Sequence, residues 1–217
     1  MDKKVLDQQS QYWEKNFLSN PEMFGLEPSK AAVSALKIFK EQNIKKLIEL
    51  GSGLGRDTLF FAKNSISIEA LDYSPTAIKL INKKAKEKKL SNNISTKVFD
   101  VRKKLPFKDE SIEACFSHML YCMALSTSDL KKLNKEILRI LKPGGINIFT
   151  VRNFDDGDYK NGIHRYEELY ENNGFIVHFF SKEKIEQISE GFKILELEKF
   201  EEGTFPRRLY RVTLKKQ

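Results

Sequence analysis

Short apolar runs alternate with longer amphipathic segments along the first two thirds of the chain. Each apolar run has the length of a buried strand and stops at glycine, proline or polar residues. The segments between the runs carry apolar side chains at helical spacing. The runs predict five strands, at residues 46–50, 66–71, 93–99, 111–117 and 146–151.

Capping residues mark where several of the intervening helices begin and end. Ser74 can accept hydrogen bonds from free amide groups, and Pro75, which has no donor, suits the first helical position. Ser126 or Thr127 caps a later helix, which stops at Lys142-Pro-Gly-Gly145. The predicted helices span residues 3–19, 28–39, 56–63, 74–89 and 126–141.

The last third of the chain has a different pattern. Residues 175–180 look extended, and residues 181–189 look helical with Ser181 as the cap. Two further strands, 192–200 and 209–214, are joined by a short turn, which favours an antiparallel pair. Strands that alternate with helices favour a parallel sheet covered on both faces. We therefore predict an α/β fold: a Rossmann-like, doubly wound, seven-stranded mixed sheet whose last strand is antiparallel, with helices on both faces.

Composition narrows the class of protein. The chain has 217 residues, 40% of them hydrophobic, which suits one globular domain. No apolar run approaches the roughly 20 residues of a membrane helix, and the N-terminus lacks a secretory-signal pattern. Cys115 and Cys122 show neither metal-ligand nor disulfide spacing. We expect a single cytoplasmic domain over residues 1–217, a monomer or homodimer, with no membrane contact and no bound metal.

The positive charge of the chain raises nucleic acid as an alternative partner. The formal net charge of +8 permits a nucleic-acid partner without requiring one. Residues 79–104 hold ten basic side chains and two acidic ones. They lack the interleaved aromatic residues of a single-strand-binding surface. A solvated, lysine-rich helix face is therefore the favoured interpretation, and nucleic acid is not the favoured partner.

The segment after the first strand carries the strongest chemical signal. The strand runs into Gly51-Ser-Gly-Leu-Gly55, with glycines spaced two apart, and a helix begins at Arg56. Glycine allows a sharp turn and a close approach of ligand to main chain, and the start of the helix offers free amide groups. A dinucleotide fingerprint would place its third glycine at position 56, and no Walker lysine follows. The spacing therefore disfavours both of those ligand classes.

Two acids end up at the same edge of the predicted sheet. Asp72 closes the second strand, where a carboxylate can accept hydrogen bonds from ribose hydroxyls. Asp100 follows the third strand, where it can accept from an exocyclic amine, and Val101 offers an apolar flank to a base. Open α/β sheets bind ligands at this carboxyl edge.

Four motifs within residues 46–151, IELGSGLGRD, ALDYS, FDV and RILKPGG, together resemble the class I S-adenosylmethionine (SAM)-dependent methyltransferases. The resemblance implies a SAM-binding core at 46–151 and S-adenosylhomocysteine (SAH) as the product. It places the methionine part beside the glycine loop, the ribose on Asp72, the adenine beside Tyr73 and Asp100, and the sulfonium above Ser117. The cofactor-binding residues it implies are Glu49, Gly51, Ser52, Gly53, Asp72, Tyr73, Asp100, Val101 and Ser117.

The flanking segments resemble, more loosely, small-molecule methyltransferases of the tellurite-resistance or thiopurine type. That resemblance rests on Gln11-Tyr-Trp13 and on the loop at residues 24–29. The cysteine set of arsenite methyltransferases is missing, which counts against a metalloid acceptor. We expect residues 1–45 to form a helical lid and residues 152–217 to supply an acceptor loop and C-terminal strands.

The lid hypothesis rests on two aromatic side chains. Tyr12 and Trp13 would exclude water and attract a sulfonium through cation–π interactions. The alternative is a helix stripe packed on the sheet. On the acceptor side, residues 153–170 look like a binding loop. Its acids Asp155, Asp156 and Asp158 lack the remaining ligands of a calcium loop.

Methyl transfer from a sulfonium is a direct displacement, so a general base is not obligatory. His118, after the fourth strand, is a candidate base, and Tyr121 is a candidate for shaping the pocket. Arg152 could bind a carboxylate of the acceptor. The alternatives are a loop histidine bonded to backbone and a surface cation. We expect His178 to be structural, Cys115 to be a core residue, and Cys122 to be a weak candidate for reactivity.

Transfer of a methyl group to a small molecule is the leading functional hypothesis. An RNA or protein methyltransferase is the second, but no Asn-Pro-Pro-Tyr-type motif follows the fourth strand. The third is a non-catalytic partner subunit of the same fold, against which the intact glycine loop and Asp72 argue. The identity of the acceptor and of the accepting atom stays open.

Overall fold

Helices and strands alternate through residues 3–203 and 206–217, which the computed structural model describes. The strands are β1 (Lys46–Leu50), β2 (Ser67–Asp72), β3 (Ile94–Val98), β4 (Ile112–Ser117), β5 (Leu141–Asn153), β6 (Ile163–Tyr166), β7 (Leu169–Asn172), β8 (Phe175–Phe180), β9 (Phe192–Glu202) and β10 (Arg207–Lys216). The helices are α1 (Lys3–Ser19), α2 (Lys30–Glu41), α3 (Arg56–Lys63), α4 (Pro75–Glu87), α5 (Thr127–Ile140) and α6 (Lys182–Ile188).

The main sheet has the order β3-β2-β1-β4-β5-β10-β9. Strands β1 to β5 are parallel, and β10 lies antiparallel between β5 and β9. This confirms the predicted α/β class and the mixed sheet with an antiparallel last strand. Three more strands bring the total to ten in the described part of the chain.

The additional strands form a small antiparallel ladder, β6-β7-β8. It joins the main sheet where Arg152 and Asn153 of β5 pair in parallel with Phe179 and Phe180 of β8. Strand β4 ends at Ser117, which pairs with Phe149 of β5. Beyond that point β8 lies beside β5 in the place that β4 occupies along the earlier part of the strand. The ladder therefore rises above the carboxyl edge of the sheet as a wall.

Serine caps fix where four helices begin. The hydroxyl oxygens of Ser29, Ser74, Ser126 and Ser181 each accept a backbone N–H from the first turn that follows. The predicted caps at Ser74 and Ser181 are confirmed, and Ser126 rather than Thr127 caps α5. Helix α2 begins two residues later than predicted because Ser29 is its cap. Such caps each contribute about 0.5–2 kcal/mol.

Alternating side chains of the central strands fill two cores. On one face of the sheet, Phe39 of α2 and Phe61 of α3 pack with Phe116 of β4. On the other face, helices α5 and α6 pack against Cys115 and Phe149. Each fully buried apolar side chain contributes about 1.5–3 kcal/mol, so the two cores hold the strand ends at the carboxyl edge in place. In the described residues, no helix is both long enough and apolar enough to cross a membrane.

Candidate functional site

A cavity of about 810 Å³ lies at the carboxyl edge of β1, β2 and β4, beneath the wall formed by β6, β7 and β8. Its volume lies within the usual range of small-molecule sites, roughly 300–1,000 Å³. Ten residues proposed from the sequence line it: Trp13, Glu49, Gly51, Ser52, Gly53, Asp72, Tyr73, Val101, His118 and Arg152.

The glycine loop after β1 adopts a backbone that glycine alone adopts readily. Gly51 has φ +69° and Gly53 has φ +51°. A Cβ at Gly51 would lie 3.0 Å from Leu120, which also lines the cavity. The N–H groups of Gly51 and Ser52 donate to Leu71 O, which ties the loop to β2 at 2.8 and 3.2 Å. The main chain is thereby exposed to the cavity without a side chain in the way.

Asp72 is a buried acceptor held in a fixed orientation. Ser74 N donates to Oδ1 at 2.9 Å, and Gly53 N donates to Oδ2 at 2.8 Å. Each carboxylate oxygen has capacity for a further hydrogen bond. Burial raises the pKa of Asp72 to about 6, although both backbone N–H groups oppose the shift. Asp72 is therefore charged at neutral pH and can accept from a ligand.

Glu49 and Ser52 add polar atoms to the same end of the cavity. The Thr58 hydroxyl donates to one carboxylate oxygen of Glu49. Burial, followed by the nearby charge of Asp57, raises the pKa of Glu49 well above its usual value. The Ser52 hydroxyl is buried and has no hydrogen-bond partner among the described residues. A ligand with polar groups can supply the missing partners.

The third strand brings apolar side chains rather than an acid to the cavity. Phe99 and Val101 line it, but Asp100 does not. Burial favours the neutral form of Asp100, but hydrogen bonds from Arg102 outweigh it and lower its pKa. Two of those bonds, from Nε and a terminal nitrogen of Arg102, measure 3.0 and 2.7 Å. The carboxylate of Asp100 is engaged by Arg102 next to the cavity, and its role towards the adenine amine stays a prediction.

Ser117 and Tyr121 are core residues. Both are fully buried, and neither lines the cavity. The ring of Tyr121 stacks on Phe149 with the centroids 4.1 Å apart, and its hydroxyl donates to Asn134 Oδ1 at 2.6 Å. These contacts hold Tyr121 on the α5 side of the sheet, so the expectation that it shapes the pocket is revised.

His118 lines the cavity but is poorly placed to take a proton. Its Nδ1 lies 3.0 Å from Thr150 Oγ1, and its Nε2 lies 3.7 Å from Glu202 Oε2. Burial, followed by the positive charges of Arg56 and Arg207, lowers its pKa to about 3. The imidazole is therefore neutral at physiological pH, and the low pKa makes it a weak base.

Helix α1 crosses the cavity and brings Trp13 to it. Trp13 packs against Phe24 and Phe175, with ring centroids 6.2 and 4.8 Å apart. Tyr12 does not line the cavity; its hydroxyl donates to Asn173 O at 2.6 Å. Glu14 accepts hydrogen bonds from the hydroxyls of Ser74 and Thr76 at the start of α4. The helix is thus anchored on the Asp72 side and on the β8 side.

Arg152 is buried and already has acidic partners. Its guanidinium forms ion pairs with Asp156 and Asp158, and it lies over the Phe179 ring, 5.3 Å from the centroid. Its charge is thus compensated from within the chain, and its binding of an acceptor carboxylate stays a prediction for a residue that lines the cavity. Asp155 instead pairs with exposed Lys199.

Arg56 and Glu202 form a connection that the sequence did not indicate. The guanidinium of Arg56 donates to Phe24 O at 3.1 Å and to Glu202 Oε1 at 3.0 Å. Both Phe24 and Glu202 line the cavity. The neighbouring Asp57 accepts from the N–H and hydroxyl of Ser29. Arg56 thereby joins the loop before α2 to the end of β9. In the sequence, the charged pair Arg56-Asp57 directly after the glycines is the feature that could have pointed to this connection.

Three further expectations concern buried groups. Cys115 is a core residue, and burial raises the pKa of the Cys122 thiol to about 11, so that thiol is unreactive at neutral pH. His178 is fully buried, and its Nδ1 lies 2.8 Å from Leu125 O, in agreement with a structural role.

Comparison with known proteins gives sequence matches for the centre of the chain. Residues 47–145 match the family model described as a methyltransferase domain. Over 102 residues the chain is 34% identical to phosphoethanolamine N-methyltransferase 1 of Triticum aestivum. The aligned segment covers 46% of this chain and 20% of that relative. The chain thus spans about a fifth of the length of the curated relatives it matches.

Solved structures share the fold over nearly the whole chain. The N-methyltransferase NodS of Bradyrhizobium japonicum, in complex with SAH, matches with a TM-score of 0.73 at 14% identity and covers 95% of this chain and 97% of that one. TehB of Haemophilus influenzae matches with a TM-score of 0.68 at 17% identity, over 94% of this chain and 67% of that one. Residues 47–145 therefore resemble a methyltransferase domain in sequence, and the chain has the fold of SAM-dependent methyltransferases of known structure.

Proposed function

We propose that this chain is a SAM-dependent methyltransferase that transfers a methyl group to a small-molecule acceptor. The observation that carries the proposal is the convergence of the buried Asp72 carboxylate and the side-chain-free backbone of Gly51 and Gly53 on one cavity. The matched methyltransferase domain supports it.

The residues of the cavity suit the chemical groups of SAM. Asp72 can accept from the two ribose hydroxyls, and Glu49 and Ser52 offer oxygen atoms to the methionine amino group. Tyr73, Phe99 and Val101 provide an apolar surface for adenine. When bound, SAM supplies a methyl group on a cationic sulfur, and the electron pair of the breaking carbon–sulfur bond stays on that sulfur.

The chain itself contributes alignment and exclusion of water. Alignment of two reactants can supply roughly 7–11 kcal/mol. Trp13, Phe24 and Phe175 cover the cavity with aromatic rings, which exclude water and favour a nearby cation. The neutral His118 contributes a wall rather than a base. In this division of labour, residues 1–45 serve as the lid, 46–151 as the SAM-binding core, and 152–217 as the acceptor side.

The acceptor side combines an aromatic wall with polar groups. Phe175 and Phe179 of β8 line the cavity together with Asp158 and Asn161 of the loop after β5. Because the curated relatives are N-methyltransferases, amines are the first acceptors to test. Thiols, phenols and oxyanions complete a panel with methyl-labelled SAM.

Calorimetry with SAH tests the proposal before any acceptor is known. The unmodified protein should bind SAH, and Asp72→Ala should weaken binding more than tenfold while the fold persists. Asp109→Ala is the matched control, because this exposed acid lies outside the cavity. The proposal fails if the unmodified protein binds no SAH, or if Asp72→Ala and Asp109→Ala bind it equally well.

A further inference from the structure

Thr150 of β5 joins the two residues that follow β4 on the cavity wall. Its side chain is fully buried. The N–H of Met119 donates to Thr150 Oγ1 at 2.8 Å, and His118 Nδ1 lies 3.0 Å from the same oxygen. One hydroxyl therefore contacts both His118 and Met119, and both of these line the cavity.

The contacts of the Thr150 hydroxyl favour one tautomer of the His118 imidazole, because the hydroxyl hydrogen needs an acceptor. Thr150 Oγ1 accepts from Met119, and among the described residues His118 Nδ1 is the acceptor within reach of its own hydrogen. Nδ1 is then unprotonated, and the hydrogen of the neutral ring lies on Nε2. The nearest carboxylate oxygen to Nε2 is Glu202 Oε2, 3.7 Å away and beyond hydrogen-bond distance, and neither atom has a hydrogen-bond partner in the described part of the chain.

Met119 has a backbone conformation that needs support. Its φ of +60° lies in the left-handed region, which residues other than glycine rarely adopt. Such conformations persist where the surroundings hold them, and they cluster at functional sites. The bond from Met119 N–H to Thr150 acts directly on this strained residue.

We propose that Thr150 is a positioning residue for methyl transfer, whose hydroxyl sets the His118 tautomer and holds Met119 in its left-handed conformation. The cavity wall next to the acceptor then has one defined shape. This inference rests on the function proposed for the cavity, because the alignment of acceptor and methyl group depends on that wall.

Nitrogen-15 NMR of labelled histidine tests the inference without an acceptor. The chain has three histidines, so each ring can be assigned from its loss in a single His→Gln variant. With SAH present, His118 should show an unprotonated Nδ1 and a protonated Nε2. Thr150→Val should mix or reverse the two forms, and Thr150→Ser, which keeps the hydroxyl, should restore the original spectrum.

Thr213→Val is the matched control. Thr213 is also a buried threonine of the same sheet, but its hydroxyl has no hydrogen-bond partner among the described residues. Its replacement should leave the His118 spectrum unchanged. With any acceptor that the panel identifies, Thr150→Val should lower kcat about 10- to 100-fold, the range expected of a small misalignment, with an unchanged SAH affinity.

Two results would overturn the inference: a protonated Nδ1 on His118 in the unmodified protein, or a Thr150→Val variant with the original spectrum and kcat. If Thr150→Val does not fold, Thr150→Ala removes the same hydroxyl with a smaller side chain, and its His118 spectrum decides. Absence of SAH binding by the unmodified protein would instead refute the proposed function, and the tautomer measured without SAH would still report on the Thr150 hydroxyl.

Discussion

Replacement of Gly53 by alanine separates ligand contact from fold stability at the glycine loop. A Cβ there would lie 3.8 Å from Phe17 and 3.9 Å from Phe24, which are ordinary contacts with two cavity-lining rings. The fold therefore meets no clash, only the cost of alanine at φ +51°. That cost is about 1–2 kcal/mol, offset by about 0.4–1 kcal/mol from the lower entropy of the unfolded chain. We expect a net loss of about 1 kcal/mol.

Gly25→Ala provides the comparison. Gly25 has φ +69°, and a Cβ there would meet nothing within 4 Å. Both variants should lose about 2–4 °C in Tm by thermal denaturation. Because the new methyl group at position 53 occupies cavity space, SAH affinity by calorimetry should fall at least tenfold for Gly53→Ala and stay unchanged for Gly25→Ala. Equal SAH affinities would show that the loop backbone does not face the cofactor, and the reasoning would be refuted.

Three further predictions use other groups. SAH affinity should weaken as the pH falls from neutral through about 6, because burial raises the pKa of Asp72 to that value and a protonated carboxyl loses acceptor capacity. Asp72→Asn should flatten this pH profile of SAH affinity, and an unchanged slope would exclude Asp72 as its cause. Trp13→Ala should lower turnover, by a labelled-methyl assay, far more than it lowers the free energy of unfolding; a variant that merely unfolds would contradict the lid. Tyr121→Phe should cost about 1–2 kcal/mol in urea denaturation, because Asn134 loses its donor, yet leave SAH affinity unaltered; a weaker affinity would contradict the core assignment.

The parallel core of the sheet was predictable because its strands are buried on both faces. β1 was predicted with its exact ends, and β2, β3 and β4 to within one residue. β5 begins five residues earlier than predicted, because Leu141 pairs with Ile112 before an irregularity in the register. β6 and β7 were missed within the predicted acceptor loop. All four residues of β6 are exposed, so no apolar alternation marks the strand.

The site was predictable where it is local in sequence. The glycine loop and Asp72 each follow directly from the end of a strand, and both line the cavity. The orientations of Asp100 and Arg152 depend on which charged neighbour lies within reach. Tyr121 turns into the core because Asn134, on a helix that begins after it, accepts its hydroxyl hydrogen. Partners of this kind are set by tertiary packing, which a strand pattern does not encode.

The ion pairs of Arg152 have a consequence for substrate choice. One guanidinium faces two carboxylates, Asp156 and Asp158, so these three side chains together carry one net negative charge, while Arg207 brings a positive charge to the same cavity. The balance between these charges should influence whether an anionic or a cationic substrate is preferred. Redirecting the protein towards acids would therefore begin at Asp158, the more exposed of the two partners, whose neutral amide analogue would leave Arg152 with a single counter-ion and shift the selectivity of the chamber.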